Sequence, residues 1–205
     1  MLMRKQQGLS LIELMITISL GLLLMAALTT VFSNTLGVNS RSLQLSQLQE
    51  EATAVMELMV SDLRRTGYRA DANELLTDPD NASTAFNDSI VISLFPGEAA
   101  NSCIEFRYDA NQDGAFNGAP EAFGYRVREG QIQRRQSAAA CNSGGWQTLT
   151  SADMLQVDSL QFVLTERMLV NVNEQIVAIQ MSVSAPSDAT LSREFSTEVV
   201  IRNAY

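Results

Sequence analysis

The chain contains no histidine, and its only lysine is Lys5. Without imidazole, the usual general base at neutral pH and the commonest nitrogen ligand for metals are both missing. Without a lysine beyond residue 5, no Schiff-base amine or phosphate-binding ammonium is available in the body of the chain. An enzyme here would have to work with carboxylates, hydroxyls and arginine. Basic residues are also outnumbered, 14 against 23 acidic, for a formal net charge of -9. Most arginines lie beyond residue 50, scattered among the carboxylates, so no basic stripe exists to neutralise phosphates and no nucleic-acid partner is expected.

Cysteine is equally scarce. Cys103 and Cys141 are the two present, an even count in the part of the chain that follows the apolar start. If that part is exported, a disulfide between them is the natural reading, worth ~3 to 4 kcal/mol in the chain-entropy description of such a loop. In a reducing compartment they would be two separate buried thiols.

Charge is absent altogether from Leu14 through Ser40, a run longer than the ~20 residues that cross a bilayer core. Arg4 and Lys5 precede it and the next basic residue is Arg41. The positive-inside rule therefore predicts a single-pass membrane protein with its N-terminus in the cytoplasm and its C-terminal domain on the outer side of the membrane. A secretory signal would end in a small-residue cleavage motif and be discarded. Here the apolar run passes through Ala26-Ala27-Leu28 without stopping, which favours retention. Glu13 is the only charge near the start of the run. A carboxylate there is costly in lipid, so it either sits solvated among the headgroups or seeks a positive partner in an assembly.

Past the proline-free segment Ser33 to Arg41, apolar residues recur at Leu45, Leu48, Ala52, Val55, Met56, Met59 and Leu63, the spacing of one helical stripe. Glu50, Glu51, Glu57, Asp62 and Arg64 occupy other positions. A single helix from about Ser10 to Thr66 would be roughly 85 Å long. Gly67 would cap it after Arg64 and Arg65. Gly21 and Gly37 mark places where it can bend.

From Tyr68 to Ser89 the chain reads as a polar connecting loop. Strand signals follow at Ile90 to Phe95, Cys103 to Tyr108, Phe123 to Val127, Gln131 to Arg135, Leu160 to Leu164, Ile176 to Ser184 and Phe195 to Arg202. A long N-terminal helix packed on one mostly antiparallel sheet is an α+β arrangement. The expected division is a short basic start at 1–8, an apolar helix half at 9–40, an amphipathic half at 41–67, and a β-rich domain at 68–205.

One stretch has the look of a metal loop. Asp109, Asn111 and Asp113, followed by Gly114, match the opening of a calcium loop, in which alternate oxygens converge and glycine makes the sharp turn. The match then slips, because loop position 12 is Pro120 and Glu121 comes one residue late. The competing reading is a turn that uses Asp and Asn to satisfy its own backbone. Asp109, Asp113 and Glu121 would also be the carboxylates of a membrane-anchored exported hydrolase, a distant alternative that no nucleophile elbow or phosphate-cradling loop supports. Arg134-Arg135 reads as a solvated strand end and Trp146 as a packing residue under a loop.

The stretch Gly8 to Leu14, GLSLIEL, resembles the prepilin cleavage and methylation motif of type IV pilins and type II secretion pseudopilins. The resemblance implies that a membrane prepilin peptidase cuts after Gly8 and methylates Leu9, a position where phenylalanine is commoner. It makes Glu13 the fifth mature residue, facing the free amino terminus of a neighbouring subunit. The segment Asp62-Leu63-Arg64-Arg65-Thr66-Gly67-Tyr68, the block from Cys103 to Val127 and the ending Val199-Val200-Ile201-Arg202-Asn203 are similar to PilW-type minor pilins and, more loosely, J-type pseudopilins. Together these cover about half of the chain, and only GLSLIEL is highly specific. The implied fold is pilin-like and non-enzymatic. The implied partners are other minor and major pilins, met through the N-terminal helix, and an inner-membrane assembly platform, with the lipid bilayer as host before assembly into a pilus.

Overall fold

The computed structural model describes residues 8, 10–78, 80, 83–169 and 172–203. The chain divides into two compact units, 1–43 and 44–205. Helix α1, Leu11–Leu63, contributes to both.

Helix α1 begins where the Ser10 carbonyl accepts the N–H groups of Glu13 and Leu14, each at 3.1 Å. In the first unit its side chains are exposed, and this stretch is long and apolar enough to cross a membrane. Five of the hydroxyls in it are satisfied by the helix itself. Ser19, Thr29, Thr30 and Thr35 each donate to the carbonyl four residues back, and Thr17 to the one three back, all at 2.8 to 2.9 Å. Polar side chains that bond to their own helix need no water, which is what an apolar medium demands.

In the second unit α1 buries Leu48, Ala52, Val55, Met56, Met59 and Leu63, the stripe its spacing predicts, with Leu45 packed at the margin. Asp62 departs from expectation. It is 7% exposed, although its charge placed it off the stripe. It follows Met59 by three positions and so shares that residue's face of the helix.

The helix ends at Leu63, and Gly67 adopts φ +73° four residues later. Its N–H donates to the Arg107 carbonyl at 3.0 Å instead of reaching back to the helix. A side chain here would collide with the main-chain oxygen of Asn203. Gly67 therefore serves a close backbone crossing between the helix exit, a strand and the end of the domain.

The connecting loop contains one short helix, α2, Glu74–Thr77. Among the described residues eight strands follow: β1 Ile90–Ser93, β2 Cys103–Arg107, β3 Ala122–Arg128, β4 Gln131–Arg135, β5 Trp146–Thr148, β6 Gln156–Leu169, β7 Val172–Ala185 and β8 Asp188–Ile201. All pairings are antiparallel, in two sheets ordered β1-β2-β3-β4-β5 and β6-β7-β8. One sheet was expected and two are present. Strand β5, of three residues, was not foreseen because it is too short to show a period of two. The sheets meet through the main chain, where Val157 donates to Gly130 and Phe162 to Asn101.

One core joins the three layers. Leu48, Met59 and Leu63 of α1 pack with Ile104, Phe106, Tyr125 and Ile132 of the first sheet and with Leu160, Phe162, Val177, Ile179 and Val199 of the second. Each fully buried large side chain contributes about 1.5 to 3 kcal/mol relative to exposure. The result is an α+β domain carried on a long N-terminal helix.

Candidate processing and assembly site

Gly8 is exposed, and a Cβ added to it would meet nothing within 4 Å. Neither packing nor backbone conformation in the folded chain calls for glycine there, so any requirement must come from what acts on the residue. Leu9 lies outside the described residues, as does the leader before Gly8. Glu13 stands exposed in the first turn of α1, where unpaired N–H groups favour a carboxylate. Among the described residues no ion pair engages it. Around it Leu11, Ile12, Met15 and Ile16 are all more than half exposed. An apolar helix left bare on every side needs lipid or other helices to cover it.

The structure gathers Asp109, Asn111 and Asp113 into one loop between β2 and β3 and adds Glu121, which the calcium-loop spacing had excluded. Oxygens of Asp109, Asp113 and Glu121 lie within 4.8 Å of one another. Each already accepts hydrogen bonds, all from the loop itself except the one that Ala70 gives to Asp109. Asp109 Oδ1 accepts the N–H of Gln112 and Asp113, and its Oδ2 accepts those of Ala70 and Gly114 at 3.0 and 2.9 Å. Glu121 accepts Ala110 N–H at 3.1 Å on one oxygen and Asn117 N–H at 2.7 Å on the other. Asn111 Oδ1 accepts the Asp113 N–H, while Asn111 Nδ2 and Asn117 Nδ2 both donate to Asp113 Oδ2. The Ala115 N–H, then Asn117 and Asn111, hold the Asp113 carboxyl below the usual carboxylate range. Beside the loop, the buried Arg69 guanidinium grips Asp71 through two 2.7 Å bonds and also donates to the Ser83 carbonyl. That grip lowers the pKa of Asp71.

Cys103 and Cys141 are joined by a disulfide, with Cα atoms 6.2 Å apart. The Cys141 main chain is held on both sides. Glu105 accepts its N–H at 2.6 Å, and Arg126, 1% exposed, donates to its carbonyl at 2.6 Å and to that of Ser143 at 2.9 Å. The Arg126 guanidinium lies between the rings of Phe95 and Trp146, at 4.8 and 4.5 Å from their centres. Trp146 thus packs against a buried cation, with its Nε1 donating to Ala140.

The expectation of a solvated Arg134-Arg135 strand end is overturned. Arg135 is half-buried and bonds Glu105 and the carbonyls of Ala138 and Ala139, while Arg134 bonds Asp62 at 3.1 Å. Desolvation lowers the pKa of Arg126 and of Arg135. Charge density along the sequence cannot reveal such pairs, because the partners lie 30 to 72 residues apart.

A bare apolar N-terminal helix that continues into the core of a disulfide-linked antiparallel β domain defines a pilin-type protein. The chain belongs to the prepilin peptidase-dependent protein B family, whose profile matches residues 41–201, and residues 3–29 match the prokaryotic N-terminal methylation motif. This is a structural family and not one of enzymes. The chain is similar to an uncharacterized protein of Haemophilus influenzae, 29% identical over 159 residues, covering 57% of this chain and 65% of that one. It is also similar to prepilin peptidase-dependent protein B of Escherichia coli, 22% identical over 163 residues and 78% of each chain. The chain therefore spans just under two thirds of the Haemophilus relative. No solved structure matches it.

Proposed function

We propose that the chain is a minor pilin of a type IV pilus, taking part in priming the filament or joining its tip. As a precursor it is held in the inner membrane by α1, with its β domain in the periplasm. A prepilin peptidase cuts after Gly8 and methylates Leu9, removing Arg4 and Lys5 and exposing an amine. The apolar half of α1 then leaves lipid for a bundle of like helices, in which Glu13 meets the amino terminus of a neighbour. No bond chemistry of its own is required.

The observation that carries this reading is GLSLIEL set at the head of a helix whose apolar side chains are exposed on all sides. Burying them against other helices and pairing the carboxylate remove two costs that a lone subunit bears. The family's name supports dependence on the peptidase, and the Arg64-Arg65-Thr66-Gly67-Tyr68 helix end supports the pilus side over a J-type pseudopilin.

The test is Gly8→Val in the native host. The expected result is a full-length, membrane-held precursor, and normal processing of that variant would overturn the reading. Deleting the gene should remove surface pili and spare protein secretion. The reverse pattern would select the secretion pseudopilus.

A further inference from the structure

The two sheets differ in how they end. The first closes on short strands, β1 of four residues and β5 of three. In the second, the outward edge of β6 is bonded by Asn101 and Gly130. That leaves β8, 14 residues without proline, paired to β7 alone. Among the described residues no other main-chain group bonds it. A long unpaired edge is a template for another strand, and proteins usually blunt such edges.

This edge also has a hollow on each side. On the core side, a groove of about 390 Å³ is lined by Met56, Glu57, Val60, Ser61 and Arg64 of α1 and bordered by Thr197. On the outer side, one of about 440 Å³ is lined by Arg64, Glu198, Val200 and Arg202. Arg64 borders both, so the two hollows flank the same stretch of β8. A strand laid on an edge sends alternate side chains to opposite faces. Two hollows either side of one edge are what such a strand would need for its two rows. On the core side Met56 and Val60 offer apolar surface, with Glu57 and Ser61 beside them. On the outer side two exposed guanidinium groups meet a single carboxylate, and among the described residues neither arginine is held in an ion pair.

We propose that the β8 edge from Thr197 to Arg202 is a strand-addition site for an extended segment of a different pilin-type subunit, not a second copy of this chain, and one that alternates apolar with acidic side chains. Main-chain hydrogen bonds supply the attachment and the two hollows supply the selection. The apolar row lies over Met56 and Val60, and the acidic row faces Arg64 and Arg202. The partner's identity rests on the filament-subunit reading, whereas the site itself does not.

The experiment uses the detergent-solubilised full chain and a dye-labelled octapeptide of alternating valine and aspartate. Saturable binding is expected, with slowed amide exchange across residues 196–201. The paired variant Arg64→Glu with Arg202→Glu, both exposed positions, should weaken binding at least tenfold. The same peptide with every second amide N-methylated should not bind, a control that needs no altered protein. Absence of binding, equal binding of the methylated peptide, or unchanged affinity in the paired variant overturns the proposal. Exchange protection that rises with protein concentration alone assigns the edge to a second copy, which also overturns it. Since Gly8 processing is scored separately, failure of this site leaves the pilin reading standing.

Discussion

The Tyr125 hydroxyl donates to Asp62 Oδ2 across 2.5 Å, tying the last turn of α1 to the middle of β3 beneath the protein surface. Arg134 completes the site from β4 at 3.1 Å. One carboxylate on the helix thereby sets where two strands stand against it. Its burial is tolerable because a donor and a cation both face it.

Tyr125→Phe removes that donor and leaves the buried carboxylate with Arg134. A loss of about 1 to 3 kcal/mol at neutral pH is expected, read by denaturant unfolding of the full chain in detergent. Burial first, and then the bond to Asp62, push the Tyr125 phenol above its ordinary value near 10. A raised folded value means the stabilisation is fully present below pH 10 and declines as pH climbs beyond it. The phenylalanine variant should show a shallower alkaline loss than the parent. An identical alkaline slope would show that Tyr125 is not the source.

Glu13→Gln separates processing from assembly. The variant should still be cut, because Gly8 is unchanged. Its amount in sheared pili should fall at least tenfold, because an uncharged amide cannot pair with a neighbour's amine. Immunoblots of membrane and sheared fractions measure both quantities. Undiminished incorporation would place Glu13 among solvated headgroup-level residues.

Replacing Cys103 and Cys141 together by serine should cost ~3 to 4 kcal/mol, the chain-entropy value for a closed loop of this length. The Glu105 and Arg126 bonds to the Cys141 main chain remain, so the loop should keep its place in the folded state. Exchange rates of the loop amides would then stay near those of the parent while global stability drops. A loop that exchanges freely would show that the disulfide alone holds it.

For Asp109, Asp113 and Glu121, the hydrogen bonds account for every carboxylate as a partner of loop N–H groups. Millimolar calcium should therefore leave Tm unchanged, and a rise of several degrees would assign an ion to the loop. Asp109→Ala should cost about 3 kcal/mol with or without calcium, since it strips the acceptor from four main-chain amides.

The residues that were legible in the sequence act through local rules. Leu14 to Ser40 declares its solvent by the absence of charge, and Leu45 to Leu63 declares a buried face by spacing alone. Seven strands were legible from strand-favouring residues, β7 and β8 also by alternation, and β5 is too short to show either. The same local reading misassigned Asp62, Arg134 and Arg135 to solvent, because a charged residue is exposed unless something distant neutralises it. Glu121 falls one residue late for the calcium loop, although it was grouped with Asp109 and Asp113 as a third carboxylate, and after a 3₁₀ turn at Ala119–Glu121 its carboxylate accepts the Ala110 N–H.

Sequence by itself determined the apolar helix, the processing motif, the amphipathic stripe and the α+β class, since hydrophobic partition and backbone periodicity depend on neighbours a few residues apart. Only the tertiary structure decided that there are two sheets, that Asp62 and Arg126 are buried with partners, and that β8 is left with an open edge. Those outcomes depend on which groups meet across tens of residues. A buried charge is stable only where the fold supplies a partner, and a strand edge is open only where the fold supplies none.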